Sequence, residues 1–157
     1  QMIEADELIE YAQYVKNYYG TPKAYVQQQL DLGKNVILEI EIQGALKIKK
    51  QFPDTILLFV TAPDAKTLRD RLVGRGTETQ DVINARLARA CEESEGIENY
   101  DYLVVNDTVA HGVEVIHQLI GDERSGNTAQ NAAYRVSSNI DFINNMKEEL
   151  VSFSKGE

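Results

Sequence analysis

Residues 55 to 61 read Thr-Ile-Leu-Leu-Phe-Val-Thr, and this run of almost uniformly apolar residues indicates the fold class of the chain. A strand that is apolar on both faces is buried on both faces, which is typical of a parallel sheet covered by helices. Residues 102 to 106, Tyr-Leu-Val-Val-Asn, predict a second buried strand of the same kind. We therefore expect an α/β fold with a parallel sheet and flanking helices.

Helical patterns alternate with these strands, as expected for such a fold. A further strand is predicted at 35–41, and the mixed spacing of apolar residues near the beginning predicts a short helix that passes into a strand around 10–14. Residues 17–22 have the composition of a turn. Helices are predicted at 23–32, at 45–52, at 65–73 with Asp64 as a candidate cap, at 79–94 with Thr79 as its cap, from Asp107 or Thr108 through Ile120, and at 140–153.

The composition is that of an ordinary globular domain, with 157 residues, 43% hydrophobic and 26% charged. A net charge of −9 argues against general affinity for nucleic acid or anionic membranes, because those partners require a basic face. The apolar runs are all shorter than the roughly 18 residues that a membrane helix needs. The single cysteine, Cys91, favours a reducing compartment. We expect a cytoplasmic protein that binds neither nucleic acid nor membrane.

Positive charge is concentrated around residues 71–86. Arg75 lies between two glycines, with Arg71 one helical turn before it and Arg86 in the helix that follows. A guanidinium group donates hydrogen bonds in pairs that match phosphate oxygens, and flanking glycines give the backbone freedom to move it. A solvated surface turn is the alternative interpretation of the Gly-Arg-Gly triplet.

Two acids and an amide mark the ends of the predicted strands. Glu39 and Glu41 are two residues apart in the strand predicted at 35–41, so both point to one face. Glu41 and Asn106 lie at carboxyl ends of strands, where ligands gather in wound α/β sheets.

Five blocks of sequence follow one another along the chain: Leu8-Ile9-Glu10-Tyr11-Ala12, Asn17-Tyr18-Tyr19-Gly20-Thr21, Ile37-Leu38-Glu39-Ile40-Glu41-Ile42-Gln43-Gly44, Arg71-Leu72-Val73-Gly74-Arg75-Gly76-Thr77-Glu78 and Asp101-Tyr102-Leu103-Val104-Val105-Asn106-Asp107. Through these blocks, in this order, the chain resembles the guanylate kinase family from about Glu4 to Ile120. The residues of these blocks resemble those of bacterial members of the family. The resemblance implies a P-loop nucleoside monophosphate kinase-like parallel sheet and transfer of a phosphoryl group from ATP to GMP, with Mg²⁺ bound alongside ATP and no tightly bound cofactor.

The resemblance also assigns GMP-binding positions. It places Glu10 as an acid near GMP, Glu41 as an acid that contacts the base, and Tyr19 and Thr21 as the phenol and hydroxyl that hold the phosphate and the guanine edge. A carboxylate can accept hydrogen bonds from the ring N–H and the amino group of guanine, which adenine cannot supply. Without the resemblance, Glu10 would be an exposed acid at a helix end, Tyr19 a packing aromatic and Thr21 a turn hydroxyl.

The remaining assigned positions serve phosphoryl transfer. By resemblance Arg71, Arg75 and Arg86 clamp the phosphates when the lid closes, Arg75 and Asn106 contact ATP, and Glu39 lies with the GMP site near the reacting phosphates. Glu39 would hold Mg²⁺ only through water, and an ion pair with a nearby lysine or arginine is the alternative. Asn106 is otherwise a helix cap.

The sequence departs from the family pattern at its beginning, because residues 1–157 contain no Gly-x-x-x-x-Gly-Lys-Ser/Thr. We therefore expect a fold without the first, P-loop strand, with the lid and part of the GMP-binding region present, and little or no turnover by this chain alone. The expected organisation is a partial domain at 1–123 (a remnant of the GMP-binding region at about 1–33, core at 34–70 and 100–123, lid region at 71–99), a linker at 124–139 and a C-terminal helix at 140–157.

Two other function classes are compatible with the residues. One is a noncatalytic guanylate-kinase-like module that binds a phosphorylated peptide, although such a module has no use for an arginine between two glycines. The other is an α/β interaction fragment whose last helix forms a homodimer. The apolar stripe of that helix, which packs either on the domain or on a second copy, consists of Ile140, Ile143, Met146, Leu150 and Phe153.

Overall fold

A computed structural model describes residues 2–14, 17–74 and 79–155 of the chain. The chain divides into two compact units, Gln1–Ile56 and Leu57–Glu157, which we name unit 1 and unit 2.

Unit 1 is built from an antiparallel hairpin and two helices. Strands β1 (Leu8–Tyr14) and β2 (Asn17–Pro22) form the hairpin, and helices α1 (Lys23–Asp31) and α2 (Ile42–Gln51) follow it. The core consists of one residue from β1 and one from each helix, namely Ile9, Val26 and Ile48.

Three segments of unit 1 differ from the expectation. The chain is in turns before β1 rather than in a short helix, and 17–22 is a strand rather than a turn, because its backbone pairs with β1. Residues 35–41 have no regular secondary structure, and α2 begins at Ile42 rather than at 45. Alternate residues of 35–41, Val36, Leu38 and Ile40, do pack on the core of unit 1. A strand also requires a hydrogen-bonded neighbour, and no strand of the described residues pairs with this segment.

Unit 2 contains the parallel strands that the apolar runs predict. Strands β3 (Leu58–Thr61) and β4 (Tyr102–Val105) pair in parallel, with Leu58 opposite Tyr102 and Thr61 opposite Val105. The α/β class with parallel pairing and flanking helices is thereby confirmed. Strand β3 is three residues shorter than the apolar run, and the expectation that it is buried on both faces is wrong. Val60 is 48% exposed and the other three residues are half-buried, because β4 is the one strand of the described residues that pairs with β3. The hydrogen bonds that precede the ladder join Leu57 to Asp101 and Tyr102.

Unit 2 also contains four helices: α3 (Ala65–Gly74), α4 (Gln80–Ser94), α5 (Val109–Ser125) and α6 (Ile140–Lys155). The cap of α3 is confirmed, since the amide of Thr67 donates to Oδ1 of Asp64 at 2.5 Å. Thr108 caps α5 by accepting from the amide of His111 at 3.3 Å. Thr79 is the N-cap residue of α4, as expected, although its side chain makes no capping hydrogen bond.

In place of the linker expected at 124–139, the structure has ordered short helices. Helix α5 continues past Ile120 to Ser125 and ends at Gly126, whose φ of 74° suits glycine. Two 3₁₀ helices follow, Thr128–Tyr134 and Val136–Ser138. They bury Asn131 and Val136, and Val136 packs with Leu103 of β4. The polar composition of the segment did not predict this packing, because only single residues of the segment reach the core.

Helix α6 packs on its own unit. Met146 and Leu150 join Ala65, Ile83 and Leu87 in a core cluster between α3, α4 and α6. The carboxylate of Glu149 accepts from the amide of Ala65 at 2.9 Å, which ties α6 to the first residue of α3. The apolar stripe of α6 is thus used within unit 2. None of the helices that the structure describes is long and apolar enough to span a bilayer.

Candidate functional site

Glu10 is a buried acid held by the hairpin of unit 1. Its residue is 7% exposed, and strand register places it opposite Thr21. The Thr21 hydroxyl donates to Oε1 of Glu10 at 2.8 Å. Because burying a carboxylate is costly unless it is hydrogen-bonded, this bond fixes where the carboxylate lies. The structure therefore brings together two residues that the family resemblance assigns to GMP.

A glycine allows this part of the hairpin to close. A Cβ at Gly20 would lie 2.8 Å from the backbone oxygen of Glu10 and 2.8 Å from Cδ1 of Leu8. Only glycine fits so close an approach of two strands. Its neighbour Tyr19 is 59% exposed, so the phenol is accessible from solvent.

The two acids of the segment 35–41 face away from the core of unit 1. Glu39 is exposed, and Glu41 is half-buried at the residue that precedes α2. The residues between and before them, Leu38 and Ile40, pack on the core. Extended backbone alternates its side chains, so the two acids share the outer side.

In unit 2, Arg71 reaches the loop that follows β4. It lies in the last turn of α3, it is exposed, and its Nη2 donates to the backbone oxygen of Asp107 at 2.8 Å. Asp107 also contacts Nδ1 of His111 at 2.8 Å. The hydrogen bond from His111, followed by the one from the Thr108 amide, lowers the pKa of the Asp107 carboxyl below its usual value. This loop is thus held from both α3 and α5.

Asn106 lies at the carboxyl end of β4, where its backbone N–H donates to the backbone oxygen of Thr61 at 2.7 Å. The Oδ1 atom of its side chain is buried and has no hydrogen-bond partner within the described part of the chain. Gly112 of α5 lies beside it, and a Cβ there would be 3.5 Å from that oxygen. A buried acceptor of this kind can receive a hydrogen bond from a ligand.

The predicted site residues divide between the two units. Unit 1 holds Glu10, Tyr19, Thr21, Glu39 and Glu41, and unit 2 holds Arg71, Arg86 and Asn106. Arg86 is half-buried on α4. Arg75 lies outside the described residues.

Within the described ranges, no group of three or more His, Cys, Asp or Glu side chains could hold a metal ion.

Sequence reasoning missed three residues that shape these sites: Gly44, Asp107 and His111. Gly44 lies in the first turn of α2, against Glu10. Asp107 and His111 are four residues apart, and this spacing at a helix beginning is a signal that could have identified the pair.

The family model described as "Guanylate kinase" matches residues 1–123. These residues hold the hairpin, both parallel strands and every assigned site position, and the chain belongs to the guanylate kinase family.

Similar proteins support this family membership. A guanylate kinase of Halalkalibacterium halodurans is 51% identical over 122 residues, covering 78% of this chain and 60% of the relative. One from Enterococcus faecalis is 52% identical over 122 residues, with the same coverage of 78% and 60%. The crystal structure of guanylate kinase from Anaplasma phagocytophilum matches with a TM-score of 0.64 at 28% identity, covering 78% of this chain and 58% of that one. The chain thus spans about 60% of the length of the curated relatives it matches.

Proposed function

We propose that the chain serves guanylate kinase activity, the transfer of a phosphoryl group from ATP to GMP that yields ADP and GDP in purine nucleotide metabolism. One observation carries the proposal: in a chain of this family, a buried carboxylate, Glu10, is held in place by the hydroxyl of Thr21. A fixed buried acid is suited to reading the donor pattern of a base.

Unit 1 would bind GMP. Glu10 and Glu41 would accept hydrogen bonds from the ring N–H and amino group of guanine, while the exposed Tyr19 and the Thr21 hydroxyl would hold the phosphate and the guanine edge. Adenine lacks those two donors and would forfeit these hydrogen bonds, each of which contributes about 1.5–3 kcal/mol when one partner is charged. Selectivity for guanine follows from this difference.

Unit 2 would act on the transferred phosphate. Arg71, Arg75 and Arg86 would neutralise charge on the phosphoryl oxygens, which is the main contribution that proteins make to phosphoryl transfer. Asn106 would contact ATP through its buried Oδ1, and Arg75 would contact ATP as well. When bound with ATP, Mg²⁺ would add positive charge at the phosphates, and Glu39 would reach it through water.

The chain of residues 1–157, assayed alone, is expected to bind GMP with little turnover. It contains no Gly-x-x-x-x-Gly-Lys-Ser/Thr to cradle the phosphates of ATP. A cytoplasmic location is part of the proposal, since the single cysteine favours a reducing compartment.

Calorimetric titration of GMP and AMP into the chain tests the proposal. We expect heat from GMP, little from AMP, and a weaker GMP affinity for Glu41→Gln. Glu7→Gln is the matched control, because Glu7 is an exposed acid of the same unit. Equal binding of GMP by Glu41→Gln and the unchanged chain would remove Glu41 from the guanine site, and equal heats from GMP and AMP would contradict the proposed function.

A further inference from the structure

The first turn of α2 lies directly against the side chain of Glu10, and the contact is made at Gly44. Gly44 is buried. A Cβ built on it would lie 2.9 Å from Oε2 of Glu10 and 3.6 Å from its Cδ. Real Cβ atoms essentially never show contacts under 3.0 Å. The carboxylate therefore occupies space that a larger residue at position 44 would take.

A shift of the Glu10 carboxylate away from a Cβ at position 44 would disturb its hydrogen bond with Thr21. Its Oε1 accepts the hydrogen bond from Thr21, and the residue is 7% exposed. Its backbone oxygen is packed against Gly20, where an added Cβ would come within 2.8 Å. One carboxylate oxygen is thus fixed by the Thr21 hydroxyl, while the other faces Gly44.

We propose that Gly44 is a positioning residue for guanine recognition. By leaving no side chain at the beginning of α2, it allows the Glu10 carboxylate to lie over the first helical turn with the orientation that the Thr21 bond sets. Backbone that approaches another group this closely is a general reason for glycine. This inference rests on the proposed function, because it assumes that Glu10 reads the guanine base.

The test uses Gly44→Ala in the full chain and compares affinities for GMP and inosine 5′-monophosphate, which lacks the exocyclic amino group. We expect Gly44→Ala to reduce GMP affinity about tenfold or more, as for loss of one charged hydrogen bond, and to reduce inosine monophosphate affinity less. The ratio of the two affinities therefore falls. A loss of stability alone would not change this ratio.

Gly121→Ala is the matched control. Gly121 is a helical glycine of α5, and a Cβ there meets nothing within 4 Å. Alanine is favoured over glycine in a helix, so this variant should keep both affinities and lose no stability.

The double variant Glu10→Ala with Gly44→Ala removes Cδ and Oε2, the atoms that the new methyl would crowd. If Gly44→Ala alone fails to fold, the double variant should fold, and its failure to do so would overturn the inference. If Gly44→Ala folds, adding it to Glu10→Ala should cause no further loss of GMP affinity, and a further loss would overturn the inference as well.

Failure of the proposed function and failure of the inference about Gly44 give different results. An unchanged chain that binds GMP and inosine monophosphate equally contradicts the proposed role of Glu10 and with it the function. An unchanged chain that prefers GMP, together with a Gly44→Ala variant of undiminished preference, overturns the role of Gly44 alone.

Discussion

Replacing Thr21 with valine removes one hydroxyl from the buried end of the hairpin while nearly keeping the shape of the side chain. The hydroxyl donates to Oε1 of Glu10 at 2.8 Å, and Glu10 is 7% exposed. Hydrogen bonds to charged groups contribute about 1.5–3 kcal/mol, and a buried acceptor left without its partner keeps the desolvation cost. We therefore expect Thr21→Val to lower the free energy of opening the hairpin by about 1.5–3 kcal/mol.

Thr21→Ser is the matched control, because serine keeps the donor and loses one methyl group. The methyl of a half-buried side chain contributes at most about 0.8 kcal/mol. The two variants should thus differ by the value of the hydrogen bond.

Amide hydrogen exchange of β1 and β2 measures this opening free energy. A local measurement is needed because the chain has two compact units, whose unfolding can occur in separate steps. GMP affinity should fall in parallel for Thr21→Val and stay near the unchanged value for Thr21→Ser. If the valine variant protects the hairpin amides as well as the serine variant does, the Thr21 bond does not hold Glu10 and the reasoning is refuted.

Leu150→Ala should destabilise unit 2 by about 2–5 kcal/mol, because Leu150 is buried in the cluster of α3, α4 and α6. Glu148→Ala is the control, since Glu148 is exposed on the same helix and its replacement should cost little stability. Denaturant unfolding measures both variants, and equal midpoints would contradict the packing of α6. Burial and the hydrogen bond to Glu123 raise the pKa of Tyr102 above its usual value of 10.0, so the stability it contributes is complete below that value and is lost as pH rises through the higher folded-state pKa. Tyr102→Phe should flatten the decline of stability above pH 10, and an unchanged slope would show that another group titrates.

The parallel strands and most helices of unit 2 could be predicted from sequence because their signals are local. The apolar run at 55–61 predicts the strand but not its burial, since Val60 is 48% exposed and burial depends on neighbouring elements. The Asp64 cap acts within one helical turn, so its position alone identifies it.

The hairpin of unit 1 could not be predicted in the same way. Residues 17–22 contain Gly20 and Pro22, which usually indicate a turn, and only pairing with β1 makes them a strand. The segment 35–41 is predicted as a strand and is not one. Its apolar residues do alternate toward the core, but a strand also needs a pairing neighbour, which a local sequence pattern does not reveal.

For the candidate site, the residues could be predicted from the sequence, but the contacts between them could not. Residue types and family blocks assigned Glu10 and Thr21, while the hydrogen bond between them depends on strand register. The close approach of Gly44 to Glu10 depends on where α2 begins, which the predicted boundary of 45 missed by three residues.

Amide chemical shifts recorded while GMP is titrated into the chain test most directly whether unit 1 is a guanine nucleotide site. We predict shift changes concentrated at 8–22 and 39–44, around Glu10, Thr21 and Glu41, and no comparable changes with AMP. Changes confined to 124–155, or the same changes with both nucleotides, would contradict guanine recognition by unit 1.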